Sequence, residues 1–333
     1  MIGTDKTFII CELAQTHEGS VDLAKILVKT AALAKADAVK VQVFTAAELA
    51  APSYKHYKLF KSLEWPEESW KELIDFSHKQ GIKIFADVFG NDSLAMLVRN
   101  KIDGLKIHGT DMRNMRLLKD LARIDIPLLL SIGGGTIEET KTALSVLQGN
   151  ERINPIILMH GFQSYPTLVE HSHLNKMRYF KDQIGLPVGF ADHIDGEHHL
   201  NFGLCAAAIG MGAVVIEKHI TVSRILKMED YESALAPDAF SEFVAGIREL
   251  DAAKGQYSEE MIPTEVFYRK DTRKHVVADR PIKAGQTIKE SDVVLRRAGT
   301  LETASDIADV IGKKTDKDYA VNDVILAGNL HKI

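Results

Sequence analysis

Two apolar runs past the middle of the chain, residues 187–191 and 213–216, each stop in a cluster of charged and imidazole side chains. The first ends in Asp192-His193 and the second in Glu217-Lys218-His219, which puts the two histidines 26 residues apart. Short runs rich in Val, Ile and Phe read as buried parallel strands. The C-terminal ends of neighbouring strands in a parallel α/β protein open onto one face, where ligands bind. His193 and His219 are therefore expected side by side, where two neutral imidazoles can hold a divalent metal ion that keeps open positions for substrate and water. The plainer alternative is a pair of strand-end histidines hydrogen-bonded to backbone. Further polar groups fall at or near other strand ends: Glu12, Lys40, Gln42, Asp87, Lys106, Ser131 and Gln163. Two lysines, a hydroxyl and the backbone N–H groups of Gly133-Gly134-Gly135 suit an anion such as phosphate. Glu12 suits a general base or a partner for a substrate hydroxyl. Each has a bland reading as well: Lys106 paired with an acid such as Asp111, Asp87 capping a helix, Ser131 bonded to backbone. Their combination singles them out, with one cationic side, one metal side and one carboxylate on a single expected face.

The elements that must position these groups alternate in type. Residues 8–14 read as a strand. Ser20 caps a helix over 21–36, with Ala24, Leu27, Val28 and Ala31 on one face. Residues 38–44 form the next strand, with Lys40 and Gln42 on the same side. The connection 45–65 is long enough to be functional. Pro66 starts a helix to residue 80, and a strand follows over 82–89. Asn91 is expected to cap a short helix. Strands over 104–109, 126–132 and 155–162 alternate with helices over 114–123, 137–147 and 168–182. The two runs described above and a last helix over 237–253 complete eight strand–helix units, the number and size of a (β/α)8 barrel. The barrel is expected over residues 1–256, a polar linker over 257–272, and a small β-rich module over 273–333 with one short helix in 303–312.

Bulk properties narrow the function. The chain has 333 residues, 45% hydrophobic and 26% charged, with a net charge of −5, so no basic field invites nucleic acid or an anionic membrane. Two cysteines, Cys11 and Cys205, both in apolar surroundings, make no disulfide framework and fit a reducing cytosol. No signal peptide or membrane span is read from the sequence. Two other histidine clusters are discounted: His171-Ser172-His173, read as part of a helix, and Glu197-His198-His199, read as a solvated loop.

Taken as motifs, these residues resemble the sialic acid synthase family over nearly the whole chain. CELAQTHEGS is similar to the family's opening motif, with Glu12 as its carboxylate, and ADAVKVQVF to its second strand, with Lys40 and Gln42. LKIHGTD resembles the lysine-bearing fourth strand, with Lys106 and Asp111, and PLLLSIGGGT the fifth, with Ser131 and Gly133. HGFQSYPT resembles the sixth, with Gln163 and Tyr165, while GFADH and IEKHIT match the two metal-ligand motifs. The tail HVVADRPIKAGQTI…VVLRRAG looks like the family's antifreeze-like domain, with Arg297. The resemblance implies a (β/α)8 barrel followed by a small β-rich antifreeze-like (β-clip) domain. It also implies an enzyme that condenses phosphoenolpyruvate with an N-acylated hexosamine to a nine-carbon 2-keto sugar acid, releasing phosphate. It assigns a divalent metal, Mn2+ or Mg2+, to His193 and His219, with Glu12 and both histidines catalytic. Lys40, Gln42, Lys106, Asp111, Ser131, Gly133, Gln163, Tyr165, Asp230 and Arg297 would bind substrate, in a domain-swapped cytoplasmic homodimer. One departure touches the phosphate side, Gly109 standing where the family has a serine hydroxyl; the others fall on the sugar side, with Gln163 where the family has Asn or Ser and Asp87 in a replaced Ser-Thr-Pro segment. The loop after His193 is longer, and LKMEDYESAL stands after the last strand. The rival readings are a metal-dependent hydrolase barrel and a non-catalytic carbohydrate-binding protein.

Overall fold

Strand β1 (Phe8–Ala14) is buried along its whole length in the computed structural model, which describes residues 2, 6–148, 153–162, 164–298, 304 and 306–331. It is apolar on both faces because both are covered. Ile9, Cys11 and Leu13 point out against helices, and Phe8 and Ile10 point in among Phe85, Leu129, Ile157, Met159 and Val215. The same alternation runs through β2 (Ala38–Val43), β3 (Lys83–Val88), β4 (Gly104–Ile107), β5 (Leu128–Ser131), β6 (Ile156–His160), β7 (Val188–Asp192) and β8 (Ala213–His219). The eight strands pair in parallel and in chain order, and β8 closes on β1. The expected barrel is therefore the observed one. Gly104 leaves room for the Phe85 ring in its floor, since a Cβ there would lie 2.4 Å from it.

The helices are α1 (Val21–Leu33), α2 (Ala46–Leu49), α3 (Tyr57–Leu63), α4 (Glu67–Lys79), α5 (Asn91–Arg99), α6 (Met115–Leu121), α7 (Ile137–Leu147), α8 (Leu174–Ile184), α9 (Asn201–Gly210), α10 (Pro237–Lys254) and α11 (Pro263–Thr272). Ser20 caps α1, which buries the predicted face of Ala24, Leu27, Val28 and Ala31. Several expectations are corrected. The connection 45–65 is not irregular but carries α2 and α3. Gly90, not Asn91, is the N-cap of α5. Glu48 reaches over from α2 to accept from Asp92 N at 3.0 Å and Ser93 N at 3.2 Å, so no local cap is needed. The helix expected over 168–182 begins only at Leu174, because His173 adopts a left-handed conformation (φ +43°) after a separate turn at Val169–His171. His171 therefore ends that turn, and Ser172-His173 connect it to the helix.

The chain divides into two compact units, residues 1–255 and 256–333. In the second, residues 257–272 are not wholly linker, since α11 occupies Pro263–Thr272, started by a proline and without a buried residue. β9 (Lys274–Ala278) and β10 (Val293–Arg297) pair antiparallel, as do β11 (Lys314–Thr315) and β12 (Leu330–His331). Val276, Ile282, Ile288, Val310, Tyr319 and Ile325 form its own core. The helix expected in 303–312 is a single 3-10 turn at Ile307–Asp309, and Thr303 lies outside the described residues.

Candidate active site

The inward alternation of β1, β2, β3, β4 and β8 changes from apolar to ionic near the C-terminal mouth. Glu12, Lys40, Asp87, Lys106 and Glu217 meet there, all buried. Lys40 Nζ makes ion pairs with Glu12 Oε2 and Asp87 Oδ2 and lies 3.6 Å from Glu217 Oε1. Lys106 Nζ donates to Glu217 Oε1 at 2.7 Å and lies 3.9 Å from Asp87 Oδ2. Asp87 is thus no helix cap. The acid paired with Lys106 is Glu217, not Asp111, whose carboxylate accepts from Asn114 and Thr110 away from the cavity.

This cluster forms one side of a 350 Å³ cavity that also meets Gln42, Ser131, Gly133, Tyr165, His193 and His219. Close backbone packing shapes its wall. A Cβ on Gly133 would lie 1.8 Å from the Gly161 carbonyl oxygen, and one on Gly161 (φ +133°) 2.2 Å from that of Ala191. A Cβ on Gly109 would lie 2.9 Å from the Gly133 oxygen, so a side chain where the family has serine would press on that oxygen. Gln163 lies outside the described residues. Asp230 lines a neighbouring cavity that shares Gln42 and Tyr165 with the first. Arg297, in the second unit, is exposed at the end of β10 opposite Lys274, with no carboxylate within 4 Å among the described residues.

Three carboxylates face two ammonium groups in the cluster, so not every acid can be stabilised as its anion. Burial, with the Glu217 and Asp87 carboxylates, pushes Glu12 up to about 8 against the pull of Lys40. Burial also acts to raise Glu217, but the ammonium groups of Lys106 and Lys40 and the Lys106 hydrogen bond hold it at about 2. Two glutamates in one cavity are therefore set apart, the Glu12 carboxyl raised and Glu217 held low. Burial works to lower Lys40, and the carboxylates of Asp87, Glu12 and Glu217 raise it well above its usual range.

On the other side His193 and His219 lie with ring centroids 5.1 Å apart, and the Tyr165 ring stands edge-on to both, at 5.2 and 5.8 Å. Burial lowers His193 to about 4, and burial and the His193 ring hold His219 well below its normal value, so both are neutral near pH 7. His219 Nδ1 and Glu217 Oε2 are buried without a hydrogen-bond partner among the described residues. Neutral imidazoles with an unused nitrogen fit a divalent ion. Among the described residues no group of three or more His, Cys, Asp or Glu side chains is arranged to hold one, so two imidazoles would leave most coordination positions open.

Two loops rim this side. Ser233 Oγ donates to the His193 carbonyl oxygen at 2.7 Å, and Gly196 N to Glu232 O at 2.7 Å. Arg224 braces both loops. Its Nη1 donates to Tyr231 O, Glu232 O and Ala234 O at 2.6, 3.1 and 2.8 Å, its Nη2 to Asp195 at 3.2 Å, and Glu197 lies 3.3 Å from Nε. Asp230 sits in the left-handed region (φ +61°) on the second loop, and burial raises its carboxyl to about 6.

Sequence reasoning left Glu217 out of the candidate set and weighed a helix cap against a site role for Asp87. The missing signal was available for Glu217: it stands two residues before His219 and so shares its face, the reasoning applied to Lys40 and Gln42.

A closed parallel barrel with a charged cavity at its C-terminal mouth defines the class, a (β/α)8-barrel enzyme. The NeuB family pattern matches residues 27–259 and the SAF domain pattern residues 273–330. The chain belongs to the NeuB family and is a transferase of the sialic acid synthase type. It is 31% identical over 323 residues to an uncharacterized protein of Methanocaldococcus jannaschii, covering 96% of this chain and 94% of that one. It is 29% identical to the N,N'-diacetyllegionaminic acid synthase of Legionella pneumophila, covering 96% and 93%. A crystal structure of N-acetylneuraminic acid synthetase from Leptospira borgpetersenii serovar Hardjo-bovis, in complex with citrate, aligns with a TM-score of 0.73 at 30% identity, over 80% of this chain and 93% of that one.

Proposed function

We propose that the cavity condenses phosphoenolpyruvate with an N-acylated hexosamine to give a nine-carbon 2-keto sugar acid and phosphate. The observation that carries this reading is the meeting of Lys40 and Lys106 with His193 and His219 in one cavity at the barrel mouth. Lys40, Lys106, Ser131 and the backbone N–H groups of residues 133–135 hold the phosphate and carboxylate of phosphoenolpyruvate. Tyr165, Gln42 and Asp230 face the acceptor sugar. C3 of phosphoenolpyruvate forms the new bond to the aldehyde carbon, whose oxygen takes up a proton. Glu12, whose carboxyl is raised by burial and which contacts Lys40 in the cavity, is the group assigned to that proton transfer. Water adds at C2, and phosphate leaves with cleavage of its C–O bond. Glu217 stays ionised and keeps Lys106 oriented. A divalent ion, Mn2+ or Mg2+, held by His193 and His219 would supply Lewis-acid polarisation of the aldehyde.

The rest of the reading places the reaction in the cytoplasm, in a domain-swapped homodimer where Arg297 serves the partner's sugar site. Mixing Arg297→Ala with His219→Ala subunits restores activity if the arginine acts in trans and leaves the mixture dead if it acts in cis, with subunit exchange shown separately. The principal experiment measures phosphate released from phosphoenolpyruvate against a panel of hexosamines and weighs the product. Phosphate release with an N-acylated hexosamine, and a product mass of acceptor plus pyruvate, is the expected result. Absence of both across the panel rejects the reading.

A further inference from the structure

Beside the charged cavity opens a second, of 720 Å³, which shares Gln42, His108, Thr110 and Tyr165 with it. Its far wall is aromatic. Phe44, at the end of β2, lies 5.7 Å from the Phe60 ring of α3 and 6.0 Å from the Phe89 ring after β3, and Tyr54 stacks on Phe60 at 5.9 Å. The near end carries Gln15, whose side chain is only 9% exposed. Its Nε2 donates to Gln42 Oε1 at 3.0 Å, which fixes the amide and leaves Oε1 as the free acceptor. That oxygen is buried with no hydrogen-bond partner among the described residues. Buried polar atoms are normally satisfied, and one left unpaired at the edge of a cavity points to a ligand that brings the donor.

The two ends ask for different chemistry. Gln15 Oε1 wants an N–H or O–H donor, and the wall of Phe44, Phe60 and Phe89 rewards apolar surface and offers a hydroxyl nothing. A donor followed directly by an apolar tail is the pattern of a secondary amide. Resting on the condensation reading above, we infer that this pocket receives an acylamino substituent of the acceptor sugar, its N–H donated to Gln15 Oε1 and its acyl chain laid against Phe44, Phe60 and Phe89. An acetyl methyl fills little of this space, so the pocket favours acyl chains longer than acetyl.

Titration calorimetry with the alditols of N-acetyl-, N-propanoyl- and N-butanoyl-hexosamine tests the pocket without turnover, since alditols have no aldehyde to condense. Affinity is expected to rise about fourfold per added methylene, the value of burying one CH2 group. Phe60→Ser should flatten the series. An ester analogue, which has no N–H, should bind more weakly than the matched amide, and Gln15→Leu should erase that difference. A purely structural role for Gln15 would weaken amide and ester alike. A flat or falling series in the unaltered protein overturns the inference, as does amide-over-ester preference that survives Gln15→Leu. Should Gln15→Leu not fold, the series in the unaltered protein and in Phe60→Ser decides. Failure of every sugar to release phosphate overturns the condensation reading alone, whereas condensation with a flat acyl series overturns the pocket assignment alone.

Discussion

Ile10, Ala38, Phe85, Leu129 and Val215 fill the lower part of the barrel with apolar side chains. Two residues further along the same strands stand Glu12, Lys40, Asp87, Ser131 and Glu217. The backbone is the same parallel strand in both layers, and the period of two aims both sets inward. The lower layer gains stability by removing apolar area from water. The upper layer takes Glu12, Lys40, Asp87, Lys106 and Glu217 out of water, and ion pairs in such surroundings offset desolvation only when partners and geometry are complete. Stability is thus concentrated in one layer and reactivity in the next, one step along the strand.

The sharpest way to break this contrast is to make the upper layer apolar. Lys106→Met is expected to lower phosphate release by a factor on the order of 10³, as when a preorganised electrostatic contact is lost, and to cost about 3–5 kcal/mol because Glu217 loses its nearest cation. The double variant Lys106→Met/Glu217→Met should recover most of the stability and none of the activity, read by urea midpoint and phosphate assay. Recovery of turnover in the double variant would show that the pair only holds the fold.

Next in size, His193→Ala and His219→Ala should each reduce turnover by about 100-fold or more, the loss of a Lewis-acid contribution worth several kcal/mol. Metal analysis of both purified variants accompanies the assay, and full metal content with near-normal rates rejects the ligand assignment. The mirror experiment in the lower layer is Phe85→Ala. It should cost about 3–5 kcal/mol and leave kcat of the folded protein unchanged. A large fall in kcat at intact folding would mean the layers are mechanically coupled.

The smallest effect tests whether acid sensitivity also arises outside the ionic layer. Burial lowers His17, in the loop after β1, to about 4 against a normal value of 6.5. Its unfolded form therefore binds a proton first as pH falls. Its contribution to stability is complete above pH 6.5 and is lost between pH 6.5 and 4, reaching about 3 kcal/mol at one pKa unit per 1.36 kcal/mol. The variant His17→Asn should show a shallower loss over that window, measured as urea midpoint against pH. Identical pH profiles for the two proteins would place the acid sensitivity elsewhere.

The barrel was legible because parallel strands covered on both faces are written as largely apolar runs, and each carries a polar residue at or near the end where the mouth lies. His193 and His219 could be set together from strand order alone. What stayed hidden needs closure in three dimensions. Lys106 and Glu217 are 111 residues apart and meet only across the barrel, so the sequence offered the nearby Asp111 instead. Helices α2 and α3 span only four and seven residues, too short for a face to repeat over several turns. Helix α11 buries nothing, so amphipathic periodicity had no signal to give.

Arg224 carries a consequence for anyone recombining this chain with a relative. Its guanidinium joins the loop after β7, through Asp195 and Glu197, to three carbonyls of the loop after β8. Gly196 lies so close beneath it that an added Cβ would stand 2.3 Å from Nη1 and 2.1 Å from the Ala234 oxygen. The two loops are therefore one heritable unit. A chimera that imports residues 194–200 without 224–235 strands the guanidinium or presses a side chain against it, whereas a crossover carrying both segments brings its own brace.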